Sequence, residues 1–267
     1  MSALTTAKRL VARVLLLPAV GRGLAVLFRD RLPAHGLRVQ TDFAGISPVT
    51  KAKLFWGIYE AGEIRAIRAF LRPGLPVVEL GGSIGVVSSV LARQISPGGR
   101  LVVAEPDPAL AALIRRNVAL NAPGVDVTVV ETAVEYAHAG QPTVTFETGT
   151  TNTVGRIAGT AAAGTAAAGT RAAARLATVA RTTLADLLAA HGIGPFVLVC
   201  DIEGAEAGLF ASDAEALAAC RQIIIELHAT HWQSRPVGID GLVAQALGHG
   251  FTLRDRRGPV CVFERPL

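Results

Sequence analysis

From Val77 onward, short runs of β-branched and other apolar residues alternate with stretches in which apolar positions recur every three or four residues. That alternation predicts parallel strands joined by crossover helices. The predicted strands are Val77 to Gly81, Arg100 to Ala104, Val125 to Val130, Phe196 to Asp201, Gln222 to Leu227, Phe251 to Arg254 and Val260 to Glu264. Helical periodicity covers Ile84 to Ile95, Pro108 to Leu120, Thr183 to His191, Glu206 to Cys220 and Ile239 to Leu247. Only the short Gly/Pro-bearing turn Asp255 to Pro259 separates the last two strands, so they are expected to pair as an antiparallel hairpin. The expected fold class is α/β: a doubly wound, mainly parallel sheet of seven strands that closes on this hairpin.

The pattern changes on either side of this core. Residues 1 to 75 read as helices, with Phe55, Trp56, Ile58, Tyr59, Ile64, Ile67 and Phe70 forming an apolar stripe before Pro73, Gly74 and Pro76 stop it. The expected division is therefore an N-terminal helical extension, 1–75, and a main domain, 76–267. Between Phe146 and Arg181 the periodicity dissolves into Gly-Thr-Ala repeats with Gly159, Gly164 and Gly169 five residues apart. With no large apolar side chain to anchor it, an Ala/Gly/Thr segment of about 149–178 is expected to be a mobile insert.

Composition leaves room for a substantial core, since 51% of the 267 residues are hydrophobic. The net charge of +5 is local: residues 1–75 carry 12 basic and 4 acidic side chains, and residues 76–267 carry 14 and 17. A chain that binds nucleic acid throughout is not expected to divide its charge this way, so no nucleic-acid partner is expected. Arg9, Arg13 and Arg22 together with Pro18 make the first thirty residues too charged and too broken for a membrane-crossing helix, and no convincing cleavage pattern follows. That leaves a helix lying on the core, or a basic amphipathic helix touching a membrane surface or partner. Cys200, Cys220 and Cys261 lie in apolar or amphipathic runs without pairing or metal-type spacing, so a reduced, cytoplasmic protein is expected. Nothing in the sequence specifies an oligomeric state.

The chemistry gathers where predicted strands end. Val77-Val78-Glu79-Leu80-Gly81-Gly82-Ser83-Ile84-Gly85 is a buried strand, a glycine turn and a helix start. Glycines admit a ligand close to the backbone, and the helix start offers unpaired N–H groups. Twenty residues beyond Gly85, the next strand runs out in Glu105-Pro106-Asp107. An acidic group there can accept hydrogen bonds from both hydroxyls of a ribose. The dinucleotide fingerprint G-x-G-x-x-G is absent, and Glu79 near the turn would repel a pyrophosphate but suit a sulfonium and an ammonium. This charge logic favours S-adenosylmethionine, with Glu79, Gly81, Gly82, Ser83, Gly85, Glu105, Pro106 and Asp201 as the candidate cofactor-binding set.

Gly81-Gly82-Ser83-Ile84-Gly85 also satisfies G-x-S-x-G, the nucleophile elbow of α/β-hydrolases, which Asp201 and His228 or His231 would complete. Against it, the elbow would sit on the first strand of the sheet, and the Glu105 spacing would be coincidence. Further along, Asp201-Ile202-Glu203-Gly204-Ala205-Glu206 brings three carboxylates to a strand end, a crowding that needs solvent, pairing or a cation. The cofactor's sulfonium is one such cation. Asp201 and Glu203 alone are too few ligands to assign a metal, and none is assigned. Glu226, His228 and His231 end the neighbouring strand. A base that takes a hydroxyl proton should titrate near neutrality, which makes His228 or His231 the candidate base and Asp201 the competitor.

Across roughly residues 77–230 these blocks resemble the FkbM-type methyltransferases. The resemblance rests on the V-V-E-L-G-G-S-I-G turn, A-E-P-D-P followed by Asn117 and Asn121, T-T-L-A-D-L-L from Thr182, D-I-E-G-A-E from Asp201, and the I-I-I-E-L-H block. It implies a class I methyltransferase (Rossmann-like) fold, S-adenosylmethionine as methyl donor, and O-methylation of a small-molecule or glycan hydroxyl, on a sugar, polyketide or other natural product. The chain departs from the family pattern at Glu79, commonly Asp, at Gly82-Ser83, commonly Ala-Asn, and at Cys200, often Lys. A degenerate domain that binds the cofactor or a partner without catalysis is the remaining alternative.

Overall fold

In the computed structural model, residues 13–95, 97–138, 140–148, 155–157 and 175–265 are described, and the chain divides into two units, Met1–Ala61 and Gly62–Leu267. The sequence pattern placed the division at residue 75; here the helix ahead of it goes with the second unit.

The first unit contains α1 (Pro18–Leu27), β1 (Arg31–Ala34), β2 (Leu37–Gln40) and α2 (Pro48–Phe55). The hairpin departs from the all-helical expectation for residues 1–75. Its strands pair from Arg31↔Gln40 to Ala34↔Leu37, and Leu32, Ala34, Leu37 and Val39 are buried from alternating positions. His35 (φ 50°) and Gly36 (φ 77°) are both left-handed, which a two-residue turn matched to the strand twist requires. Four residues of period-two pattern on each side are too few to stand out from the helical stripe nearby. Ser47 caps α2 by accepting from the Thr50 N–H at 3.0 Å. Arg9 and the rest of residues 1–12 lie outside the described residues; α1 leaves Val26 and Leu27 exposed. No helix among the described residues is long and apolar enough to cross a membrane.

The second unit begins with α3 (Ala61–Phe70), followed by β3 (Val77–Leu80), α4 (Val86–Ile95), β4 (Arg100–Ala104), α5 (Pro108–Asn121) and β5 (Asp126–Val130). Then come β6 (Ala133–Val134), β7 (Thr143–Thr148), β8 (Gly155–Ile157), β9 (Arg175–Thr182), α6 (Leu184–His191) and β10 (Phe196–Cys200). The chain continues through α7 (Glu206–Ser212), α8 (Ala214–Ala219), β11 (Cys220–Glu226), β12 (Thr230–Trp232), β13 (Arg235–Val237), α9 (Ile239–Gly248), β14 (Thr252–Arg257) and β15 (Val260–Glu264).

The main sheet has the order β14-β15-β11-β10-β3-β4-β5. Neighbours from β11 to β5 are parallel, while β15 is antiparallel to both β11 and β14. These are the seven strands, and the closing hairpin, that the hydrophobic pattern predicts. Every residue of β3 and β10 is buried, as expected of strands covered on both faces. Phe196 and Phe263 are fully buried, each contributing roughly 1.5–3 kcal/mol through removal from water. Gln222 on β11 closes the end of α3: its amide donates to the Phe70 carbonyl at 2.7 Å and accepts from the Arg72 N–H at 2.9 Å.

Two departures follow from long-range pairing. The first is a second sheet, β6-β9-β7-β8, in which β9 runs antiparallel to β7 from Thr143↔Ala180 to Thr148↔Arg175. Residues 175–178, assigned to the insert by pattern, therefore belong to β9, while the Gly159, Gly164 and Gly169 repeats lie outside the described residues. The second is a break in the helix expected over Glu206 to Cys220. Its interruption is Asp213, whose Oδ2 accepts from Tyr136 Oη at 2.7 Å, from the Leu184 N–H at 2.8 Å and from the Ala185 N–H at 3.3 Å. That carboxylate satisfies the first N–H groups of α6, and Cys220 passes into β11.

Candidate functional site

Strand order reverses beside β3: the chain goes from β3 outward to β4 and β5, then returns to β10 on the other side and continues to β11. A crevice at the C-terminal ends of strands on either side of such a switch point is where open α/β sheets bind ligands. Gly81, Glu105, Asp201 and His228 all follow strand ends at this edge.

The turn after β3 is built on backbone conformation. Gly81 (φ 89°) and Gly85 (φ 78°) are left-handed, and so is Ser83 (φ 47°) between them. A β-carbon on Gly81 would collide with the carbonyl oxygen of Asp201, and one on Gly82 would stand 2.6 Å from both Val103 Cγ1 and Ile114 Cδ1. Asn117 on α5 braces the far end of the turn, its side-chain amide donating to the Ile84 carbonyl at 2.8 Å.

Glu105 ties this turn to β4. The Ser83 N–H donates to its Oε2 at 2.8 Å and the Asp107 N–H donates to its Oε1 at 3.0 Å, so the carboxylate faces the glycine turn. It is 5% exposed. Burial raises its pKa to about 7, against the pull of the two backbone donors. Each oxygen uses one acceptor site on the backbone and retains another for a further donor. Pro106 is half-buried behind it, and Asp107 caps α5 by accepting from the Ala109 N–H at 2.8 Å. Glu79 is buried in mid-strand, in register with Val199 of β10 on one side and Val103 of β4 on the other.

A different chemistry occupies the β10 and β11 ends. His228 Nδ1 lies 3.0 Å from Glu206 Oε1 and 3.9 Å from Asp201 Oδ1; its Nε2 lies 3.8 Å from Glu203 Oε2 and 3.9 Å from Glu226 Oε1. Burial works to lower the His228 pKa, but the hydrogen bond to Glu206 and the charges of Glu206, Asp201 and Glu203 outweigh it and hold the pKa at about 9. Glu203 (φ 51°) and Gly204 (φ 105°) are consecutive left-handed residues in the tight loop between β10 and α7.

The structure thus brings Asp201 and His228 together and sets Gly81 under Asp201. His231 is placed elsewhere, exposed on the two-stranded ribbon of β12 and β13 opposite Pro236. Glu206 is the residue that sequence reasoning undervalued. Counted in the sequence only as one of three carboxylates at a strand end, it is a fully buried partner of His228. The signal available was a glutamate following two other acidic residues at a strand end, which requires one of the three to be compensated.

Residues 79–251 match the family described as Methyltransferase FkbM domain. No curated protein matches the chain. Among solved structures, the chain is similar to a ribosomal protein L11 methylase from Lactobacillus delbrueckii subsp. bulgaricus, with 12% identity, 85% of this chain and 86% of that chain covered, and a TM-score of 0.43. A methyltransferase from Pyrococcus furiosus has 12% identity, 91% and 95% coverage and a TM-score of 0.44. TrmK from M. capricolum, solved in complex with S-adenosylhomocysteine, has 6% identity, 76% and 67% coverage and a TM-score of 0.40. The mainly parallel seven-stranded sheet with its terminal hairpin is a class I methyltransferase (Rossmann-like) fold. With a match that spans most of the chain and includes both the glycine turn and the His228 cluster, the chain belongs to the FkbM methyltransferase family.

Proposed function

We propose that this chain is an S-adenosylmethionine-dependent O-methyltransferase whose acceptor is a hydroxyl of a sugar, polyketide or other small natural product. The observation that carries the reading is Glu105: a buried carboxylate, fastened by two backbone N–H groups to a glycine turn at the switch point, with acceptor capacity left for two hydroxyls. That pair of acceptors fits the two hydroxyls of a ribose. Gly81, Gly82 and Gly85 let the turn close against Asp201, Val103 and Ile114, and in this reading Glu79 and Asp201 are the carboxylates that suit the sulfonium and ammonium of the methionine end.

When bound, S-adenosylmethionine supplies an electrophilic methyl group on a sulfonium. The residues of the chain have to align the acceptor oxygen in line with it, and most of the acceleration comes from that alignment. Its carboxylate neighbours raise the His228 pKa to about 9, which makes it a poor acceptor of the hydroxyl proton at neutral pH. The hydroxyl proton is then accepted by a carboxylate of the cluster, for which we take Asp201 at the end of β10. The three cysteines are buried and free, which suits a reducing compartment, and we place the enzyme in the cytoplasm.

Calorimetric titration with S-adenosylhomocysteine tests this. Low-micromolar binding is expected, weakened about 100-fold or more by Glu105→Ala, which removes two charge-assisted hydrogen bonds to hydroxyls. Binding that the substitution leaves unchanged would refute the assignment of Glu105. Mass-spectrometric screening of a metabolite pool for methylated products then identifies the acceptor.

A further inference from the structure

Four carboxylates converge on the single imidazole of His228, each with an oxygen within 3.9 Å of a ring nitrogen. They come from the loop after β10 (Asp201 and Glu203), the start of α7 (Glu206) and the end of β11 (Glu226), so that carboxylate oxygens stand at both ring nitrogens. We propose that Asp201, Glu203 and His228 together hold a divalent metal ion, with Glu206 as the carboxylate behind the histidine.

Three observations carry this. One ligand atom from each of Asp201, Glu203 and His228 lies within 4.8 Å of the others, close enough to close on a common ion with small side-chain adjustments. Glu206 Oε1 is hydrogen-bonded to Nδ1 at 3.0 Å, which orients the ring and leaves Nε2 directed toward Glu203 and Glu226. A carboxylate on one ring nitrogen with the other aimed at a metal is the usual arrangement of metal-binding histidines. Finally, Glu206 is fully buried and its Oε2 has no hydrogen-bond partner among the described residues. A water on a hydrated ion in the cluster would supply the missing donor.

Two carboxylates and one imidazole suit Mn²⁺ or Zn²⁺, and three protein ligands leave positions open for water or an acceptor oxygen. Ligation takes the neutral imidazole, so metal binding would release a proton from the cluster. The catalytic purpose rests on the function proposed above: an acceptor hydroxyl placed against the ion becomes more acidic. Whether the ion binds does not rest on that function.

The test uses the full chain, stripped with a chelator and titrated with Mn²⁺ while the free ion is followed by electron paramagnetic resonance. Binding of one equivalent is expected, weakened about tenfold or more by Asp201→Asn, Glu203→Gln and Glu206→Gln. Should Asp201→Asn or Glu206→Gln fail to fold, Glu203→Gln decides the question, because its side chain is 43% exposed. Glu105→Gln is expected to leave Mn²⁺ binding intact while weakening S-adenosylhomocysteine. Absence of binding to both Mn²⁺ and Zn²⁺ at millimolar concentration, or binding unaffected by Glu203→Gln, would overturn the proposal. Retained metal binding with no S-adenosylhomocysteine binding would instead overturn the methyltransferase reading and leave the metal site standing.

Discussion

Glu105 and Glu206 are both glutamates buried beside the C-terminal edge of one sheet, yet their surroundings differ. Glu105 is held by backbone N–H groups, and its proton stays on until about pH 7 because burial is offset only by neutral donors. Glu206 is held by an imidazole ring among three other carboxylates. The first environment favours further neutral donors such as hydroxyls. The second favours positive charge. Both groups stand at the same edge of the sheet, and their neighbours decide which charge each environment favours.

The most damaging way to break this comparison is at Gly81, where the two regions meet. Gly81→Ala drives a β-carbon into the Asp201 carbonyl at φ 89°, so a loss of about 3 kcal/mol or more is expected, read as a lowered urea midpoint. Binding of S-adenosylhomocysteine and of Mn²⁺ should fall together, unlike the separate losses expected from Glu105 and Glu203 substitutions.

A second test separates the regions by pH. Glu105 in the folded chain has a pKa raised from 4.5 to about 7, so the folded state holds this proton more tightly than the unfolded state does. Its contribution to stability is complete below about 4.5 and is lost as pH rises through 7, a change of about 3 kcal/mol for the unliganded chain. Ligand hydroxyls donate to the ionised carboxylate, so affinity for S-adenosylhomocysteine should move the opposite way. It is expected to rise by up to about tenfold per pH unit between 5 and 7 and level off above, and Glu105→Gln should flatten the profile.

The smallest expected effect sharpens the comparison by removing a distraction. Ser83→Gly keeps the N–H that Glu105 accepts and relieves a left-handed serine, while adding flexibility to the unfolded chain. Stability should stay within about 0.5 kcal/mol, and S-adenosylhomocysteine affinity within about twofold, by melting and calorimetry. A large loss would assign the Ser83 hydroxyl a role in the site.

The nearer a feature lay along the chain, the more of it was legible. Strand and helix periodicity located the main sheet, because burial on both faces imposes continuous apolar runs such as Phe196–Cys200. The Gly81 to Glu105 spacing placed the carboxylate at the glycine turn, since one crossover helix fixes that distance. The β1 and β2 hairpin was missed because its alternation is so short. The second sheet was missed because β6 pairs with β9 across some fifty residues, Ala133↔Arg181, which no local pattern records.

Sequence alone therefore determined the strands of the main sheet and the placing of acidic groups at their ends, both properties of neighbouring residues. Only the tertiary structure decided the chemistry of His228. Its charge is set by Glu206 from α7, Asp201 from the end of β10 and Glu203 from the loop between them, brought within 4 Å by folding, and electrostatic energy depends on distance in space rather than along the chain.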